Sequence, residues 1–378
     1  MGSSDLAMGV RMARLEVDGL CKGWEFPVID RLSFSVEEGE FFVIVGASGI
    51  GKTTLLRLIS GLEPPDAGRI LVGGQDQTRL PPYRRRIAMT FESYALYPHL
   101  SVYENIASPL RARRTPRVER DRKIRDIAKL LRIDHLLDRK PGEVSGGQKQ
   151  RTALGRTLVA DPDVFLLDEP ISHLDAKIRH ELRTQFHTLE ELRRVATVYV
   201  THDYAEALSL GDRIGVMGAG GVLEQIGAPR DLFEAPANLT VAEHLGQPTI
   251  NVIAARLVRD ADGVFLQAEG GSLRFPVAAA HVPPLERHGA DRVTLGLRPQ
   301  FLRPDLAEGQ AQIAADVDIF EPLGATGVMI AQSGGVRLTA LTDPEAHFDT
   351  GDRVMLATDP ARFHYFDSAS GRSLLEAV

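Results

Sequence analysis

Eight residues constrain this chain more than any others: Gly46-Ala47-Ser48-Gly49-Ile50-Gly51-Lys52-Thr53. They match the pattern of a phosphate-binding loop, and they stand in the context such a loop needs. Before them, Phe41-Phe42-Val43-Ile44-Val45 is continuously apolar, as in a strand buried on both faces. After them, residues 53–60 read as a helix closed by Gly61, with Pro64-Pro65 beyond. The glycines let backbone N–H groups approach phosphate oxygens, and the helix N-terminus adds a favourable partial charge. Lys52 is expected on the β- and γ-phosphates of a nucleotide, and the Thr53 hydroxyl on Mg²⁺. The bland alternative is a chance glycine-rich turn.

A second stretch completes such a site. Val164-Phe165-Leu166-Leu167 is an apolar run that ends in Asp168-Glu169. Asp168 can reach the Mg²⁺ shell. Glu169 points elsewhere and can polarise an attacking water, a role worth about 10²–10⁴ in rate. Residues 197–200 read as another buried strand, and 117–137 and 176–194 have helical spacing with mixed charge. Strands alternating with helices imply a parallel sheet covered by helices.

The texture changes near residue 240. Beyond Asn251 the apolar residues alternate, as in Val336, Leu338, Ala340 and then Val354, Leu356. Ser333-Gly334-Gly335 and Asp349-Thr350-Gly351 separate them. That pattern is expected of a small antiparallel β-barrel domain. The break is placed around 234–246, where Pro236 and Gly246 interrupt the pattern. The expected division is a flexible or tag-derived segment 1–12, an α/β domain 13–240 and a β domain 241–378. Such a division suits 378 residues, for which the prior is roughly two to three domains.

Charge and composition narrow the class. A net charge of −7 argues against a protein that coats nucleic acid. The single cysteine, Cys21, makes no internal disulfide or thiolate cluster, which fits a reducing compartment. No run approaches the roughly 20 apolar residues of a membrane helix, and residues 1–10 lack the features of a signal peptide. A soluble, cytoplasmic protein is expected, with any membrane role exercised through a partner.

Val144-Ser145-Gly146-Gly147-Gln148 opens a helix and offers a second anion cradle in a chain that already has one. Here the chain resembles the ATP-binding-cassette (ABC) ATPases, whose signature is Leu-Ser-Gly-Gly-Gln, with Val144 in place of the leucine. The resemblance implies that two cassettes pair head to tail around two ATP molecules. Ser145, Gly147 and Gln148 would then act on the γ-phosphate held by the other copy; a helix cap with no ligand is the alternative. It further implies nucleotide contacts from Gly46, Ser48, Gly49, Gly51, Lys52, Thr53, Thr54 and Asp168. Ser172-His173-Leu174-Asp175 is similar to the dimer-contacting loop of that family. His202, after a buried strand, is similar to the histidine that orients the attacking water beside the Glu169 base. Trp24, or failing it Phe26, matches the aromatic residue that stacks on adenine.

The stretch Phe91-Glu92-Ser93-Tyr94-Ala95-Leu96-Tyr97-Pro98-His99-Leu100 resembles the ATPase subunits of bacterial carbohydrate importers, for which the maltose and sn-glycerol-3-phosphate importers are models. Gly296-Leu297-Arg298-Pro299, Glu321-Pro322-Leu323-Gly324 and His364-Tyr365-Phe366-Asp367 look like that family's regulatory, oligomer-binding-like barrel. The implied fold is a phosphate-loop ABC nucleotide-binding domain with a helical subdomain at about 93–158, followed by this β-barrel. The implied function is ATP hydrolysis that powers solute import at the cytoplasmic face of the inner membrane. The implied partners are a second cassette, two transmembrane permease subunits and, indirectly, an extracytoplasmic solute-binding protein, with no nucleic acid.

Glu92 is the largest departure, because the family carries glutamine there as an oxygen ligand for Mg²⁺. A carboxylate also ligates Mg²⁺. Placed about 6 Å from Glu169, however, it would repel that group by roughly 3 kcal/mol at an effective dielectric near 20. Intact binding with slow turnover is therefore expected. The alternative function is a degenerate cassette that binds nucleotide chiefly for regulation. A cassette for DNA repair or translation, or a metabolite kinase, fits less well: the chain is acidic and lacks a second cassette, and it carries both the Ser145–Gln148 signature and the β tail.

Overall fold

The computed structural model describes residues 13–172, 174–189, 192, 194–261, 263–289, 291–304 and 311–375. Segment 1–12, His173 and the last three residues lie outside the described residues. The chain forms two compact units, one ending at Pro229 and the other beginning at Arg230.

The first unit runs β1 (Ala13–Gly23), β2 (Pro27–Glu37), β3 (Phe41–Val45), α1 (Lys52–Ser60), β4 (Ala67–Val72), β5 (Gln75–Asp76) and β6 (Ile87–Thr90). It continues with α2 (Val102–Ala112), α3 (Arg117–Leu130), α4 (Gly146–Leu158), β7 (Val164–Asp168), α5 (Ala176–Phe186), β8 (Ala196–Thr201), α6 (Tyr204–Leu210), β9 (Arg213–Met217) and β10 (Leu223–Gly227). One sheet has the order β10-β9-β3-β8-β7-β6. Its strands are parallel except β10. Every residue of β3, β7 and β8 is buried, which is why their sequences read as unbroken apolar runs. A second, antiparallel sheet has the order β2-β1-β4-β5. Leu15, Val17 and Ile29 from it share a core with Phe42 and Ile44 of β3 and with Leu55 and Leu58 of α1.

Topology places the chemistry. Val45 is in register with Thr201, and Asp168 with Val200. The loops after β3, β7 and β8 therefore leave one carboxyl edge of the sheet side by side, the edge at which such sheets bind ligands.

At its far end, α1 is closed by Gly61, whose φ of 80° falls in the left-handed region. A Cβ there would lie 2.6 Å from Nε of Arg85, so glycine is required twice over. The Arg85 guanidinium is buried against this end of the helix. It donates to Leu58 O at 3.0 Å, Ile59 O at 2.6 Å, Leu80 O at 2.9 Å and Thr78 O at 2.9 Å.

Two helices are shorter than their spacing predicts. The expected helix 117–137 ends at Leu130, because Arg132 turns left-handed at φ 54° and a separate short turn, Asp134–Leu136, follows. The expected helix 176–194 ends at Phe186 with His187 as its cap, and Glu190, Glu191 and Arg193 lie outside the described residues. Helices α2, α3 and α4 pack on one another.

The helix α7 (Pro229–Glu234) starts on the last residue of the first unit and otherwise belongs to the second, where α8 (Leu239–His244) follows. The second unit continues with β11 (Asn251–Asp260), β12 (Gly263–Ala268), β13 (Arg274–Pro276), α9 (Val282–His288), β14 (Arg292–Leu297) and β15 (Leu302–Arg303). Then follow β16 (Ala311–Pro322), β17 (Gly327–Ser333), β18 (Val336–Thr342), β19 (Arg353–Thr358) and β20 (His364–Asp367). Two antiparallel sheets, β13-β12-β11-β14-β20 and β15-β19-β16-β17-β18, enclose one core that includes Ile253, Leu295, Met329 and Leu356. Alternating burial along β11, β16 and β17 matches the alternating sequence. The interval 234–246 belongs to this unit. Buried Arg298 donates to the carbonyls of Phe233 and Leu245, and its guanidinium lies 3.8 Å from the Phe233 ring centroid.

Candidate functional site

The loop between β3 and α1 lines an open cleft of about 520 Å³. Ser48, Gly49, Gly51, Lys52, Thr53 and Thr54 line it, together with Val28, Glu92, Glu169, Ser172 and His202. Gly51 has φ 113°, and a Cβ there would meet Val28 O at 3.0 Å, so only glycine lets the loop turn into α1.

Lys52 is buried, and Nζ donates to Gly46 O at 2.8 Å and Ala47 O at 2.9 Å. Burial holds its pKa below the usual lysine value, against the opposing pull of Glu169, Asp168 and Glu92. Thr53 Oγ1 donates to Asp168 Oδ1 at 3.2 Å, and the Asp168 N–H donates to Thr90 Oγ1 at 3.0 Å. Burial pushes the Asp168 carboxyl up to about 6. The charges of Glu92 and Glu169 add to that shift, while the Thr53 bond and Lys52 oppose it. Asp168 Oδ2 is buried with no hydrogen-bond partner among the described residues.

That orphaned oxygen tests whether a metal fits. Thr53, Asp168 and Glu92 supply one hydroxyl and two carboxylates, an all-oxygen set suited to Mg²⁺. Among the described residues no three His, Cys, Asp or Glu side chains form a metal cage by themselves. A partial set of this kind leaves coordination positions for phosphate oxygens and water, as Mg²⁺ prefers. The residues therefore fit the ion.

Glu169 follows β7 with φ 43°, a left-handed conformation that is uncommon outside glycine. Its Oε1 lies 2.9 Å from Nδ1 of His202. His202 is held by the turn into α6, where Asp203 accepts from the N–H groups of Ala205 and Glu206. Buried Glu206 accepts from Tyr199 OH and Thr201 Oγ1, each at 2.8 Å, and so ties this turn to β8. The cleft thus holds one ammonium, an all-oxygen cation site and a carboxylate–imidazole pair. That equipment can bind a polyphosphate with its metal and accept a proton from a water beside it.

Other expected residues lie elsewhere. Ser145 and Gln148 form a capping box at the start of α4, with Gln148 N donating to Ser145 Oγ at 3.3 Å and Ser145 N donating to Gln148 Oε1 at 2.8 Å. Neither they nor Gly147 line the cleft of their own chain. Trp24 and Phe26 stand in the turn between β1 and β2, 61% and 76% exposed, and neither lines the cleft. Lys22 Nζ sits 5.3 Å from the Trp24 ring. Val28 and Ser172 also line the cleft, beyond the expected ligand contacts. Ser172 opens the motif Ser172-His173-Leu174-Asp175, whereas Val28 carries no sequence signal.

Residues 29–172 match the ABC transporter family, and residues 295–366 match the TOBE domain. The trehalose/maltose import ATP-binding protein MalK of Thermococcus litoralis is 40% identical over 363 residues, 93% of this chain and 96% of that protein. The chain belongs to the ABC transporter family. This ABC chain is also 42% identical over 348 residues to the sn-glycerol-3-phosphate import ATP-binding protein UgpC of Cereibacter sphaeroides, covering 92% and 95% of the two chains. The dimeric bacterial ABC transporter cassette MJ0796 superposes with a TM-score of 0.53 at 27% identity, over 57% of this chain and 98% of that one. A post-hydrolysis state of the same cassette, bound to ADP and Pi, gives 0.52 at 28% identity over the same shares. In this ABC chain the cassette is joined to a barrel of antiparallel strands that contains the TOBE match.

Proposed function

We propose that this chain hydrolyses ATP to power the import of a carbohydrate or related solute through partner transmembrane subunits. The observation that carries the reading is the 2.9 Å pair of Glu169 and His202, set across one cleft from Lys52 and the Thr53–Asp168 bond. Lys52 moves from its carbonyl partners onto the β- and γ-phosphates, and the loop N–H groups cradle them. Thr53, Asp168 and Glu92 would hold Mg²⁺, and Thr54 would add a further contact to the nucleotide. Bound there, the metal supplies positive charge where negative charge develops on the phosphoryl oxygens. Glu169 takes the proton of the attacking water, and His202 holds that carboxylate and the water in line. The products are ADP and phosphate.

The Ser145 cap does not line its own cleft, which supports use in trans. A second cassette, identical or paralogous, brings Ser145, Gly147 and Gln148 to the γ-phosphate. Trp24 stacks on adenine. Among the described residues no helix is long and apolar enough to cross a membrane. In this reading the chain works at the cytoplasmic face against two permease subunits, which a solute-binding protein supplies from outside; the import named in its relatives supports that placement. The import named in the relatives MalK and UgpC supports a sugar or polyol-phosphate cargo.

The test is ATP binding and Mg²⁺-dependent phosphate release by the full-length chain. Lys52→Ala removes the side-chain cation of the cradle and abolishes binding. Glu169→Gln binds ATP but turns over about 10²–10⁴ more slowly, roughly 3–5 kcal/mol of barrier. Wild-type hydrolysis by Glu169→Gln would refute the base assignment.

A further inference from the structure

Gln150 sits on α4, five residues after the Ser145 cap, and is 4% exposed. Its Nε2 donates to the backbone carbonyl of Glu169 at 2.9 Å. Only this orientation of the amide works, since the reverse would set two oxygens at that distance. Oε1 is left buried with no partner among the described residues. An unpaired buried oxygen is costly, and an apolar side chain of equal size would avoid it. Packing therefore does not account for an amide here.

The Glu169 backbone gives it a use. The left-handed φ of 43° is strained for glutamate and persists only where surrounding contacts over-determine it. Those contacts are present. The Glu169 carbonyl accepts from Gln150 Nε2, from Ser172 Oγ at 3.0 Å and from Ser172 N at 3.4 Å. The Glu169 N–H donates to Val200 O at 3.1 Å. Turning the peptide about this residue would swing the carboxylate off His202.

We propose that Gln150 is a positioning residue, which fixes the strained backbone of Glu169 and so aims its carboxylate at the attacking water. This rests on the reading of Glu169 as the base. Helix α4 also reaches the loop after Glu92. Arg156 donates to Ala95 O at 2.7 Å and Tyr94 O at 3.1 Å, and both of those residues are left-handed as well. The Ser145 cap, the base and the Glu92 loop are thus tied to one rigid helix, with Gln150 as the tie to the base.

The experiment uses the full-length chain with ATP and Mg²⁺. Gln150→Met keeps length and volume but removes the donor. The expected result is kcat lowered about 10- to 100-fold with KM for ATP within about twofold, since misaiming a group costs turnover rather than binding. In a Glu169→Gln background, single-turnover rates should be the same with and without Gln150→Met, because the two changes act through one group. Wild-type kcat for Gln150→Met while Glu169→Gln is inactive overturns this proposal alone. A further drop in the double variant also overturns it, by showing a general structural effect. Wild-type turnover by Glu169→Gln overturns the base assignment, and this proposal with it. Should Gln150→Met not fold, Gln150→Leu removes the same donor, and a wild-type kcat there is the refuting result.

Discussion

The β unit has an acid limit set by His364. This residue pairs with Gly296 across β20 and β14, and its ring stacks near Phe366 at 6.4 Å. Burial pushes its pKa down to about 4, and the nearby Arg298 and His281 push it the same way. In the unfolded chain the same imidazole titrates near 6.5. Between these values the unfolded state holds a proton that the folded state refuses. Stability from this group is therefore complete above about pH 6.5 and is lost as pH falls towards 4. Integrated from pH 7.5 to pH 5, the loss is about 2 kcal/mol, or roughly a 30-fold rise in the opening equilibrium. Amide exchange measured by mass spectrometry on peptides covering β14 and β20, corrected for intrinsic rates, reads that equilibrium. His364→Asn removes the titrating group and should flatten the pH dependence by that amount, whatever it does to stability at pH 7.5. Equal pH slopes for the two proteins would refute the argument.

Two more outcomes follow from the first unit. Glu92 lines the cleft with Glu169, and its charge helps to raise the Asp168 carboxyl. Glu92→Gln should therefore speed steady-state ATP hydrolysis in the assembled transporter with little change in ATP affinity; an unchanged or lower rate means Glu92 is no brake. Buried Asn105 accepts from Tyr97 N at 2.8 Å and donates to Tyr97 O, Leu100 O and Ser101 O at 3.1, 3.2 and 2.9 Å. Asn105→Ala orphans these groups, so calorimetry should show a loss of about 1–3 kcal/mol and proteolysis should find residues 97–101 more open. An unchanged melting temperature with an uncut loop would count against that role.

What could be read from sequence was what is local. The strands β3, β7 and β8 were visible because both their faces are buried, and the second unit was visible because its strands bury one face each. The antiparallel sheet built on β1 was not legible. Gly19 turns left-handed there, and the register with β2 slips between Val17 and Leu20, so no clean alternation survives. The extra length expected after Leu130 came from helical spacing that cannot register a left-handed Arg132. Within the site, the phosphate loop, the Asp168-Glu169 pair and His202 were found because each is a contiguous motif at a strand end. Gln150 and Arg85 escaped because their contacts span 19 residues in one case and up to 27 in the other, and neither stands in a motif that announces its partner.

Arg85 gives α1 an electrical asymmetry. The peptide dipoles of a helix leave positive charge at its start and negative charge at its end. In α1 the negative end already meets a buried guanidinium, while the positive end at Lys52 faces the open cleft. Each of these terminal charges acts over about one turn, so Arg85 offsets the negative end locally, about 14 Å along the axis from the phosphate cradle. The buried cation closes the one end of α1 that the nucleotide site has no use for, and the end left open to the cleft is the one that favours an anion.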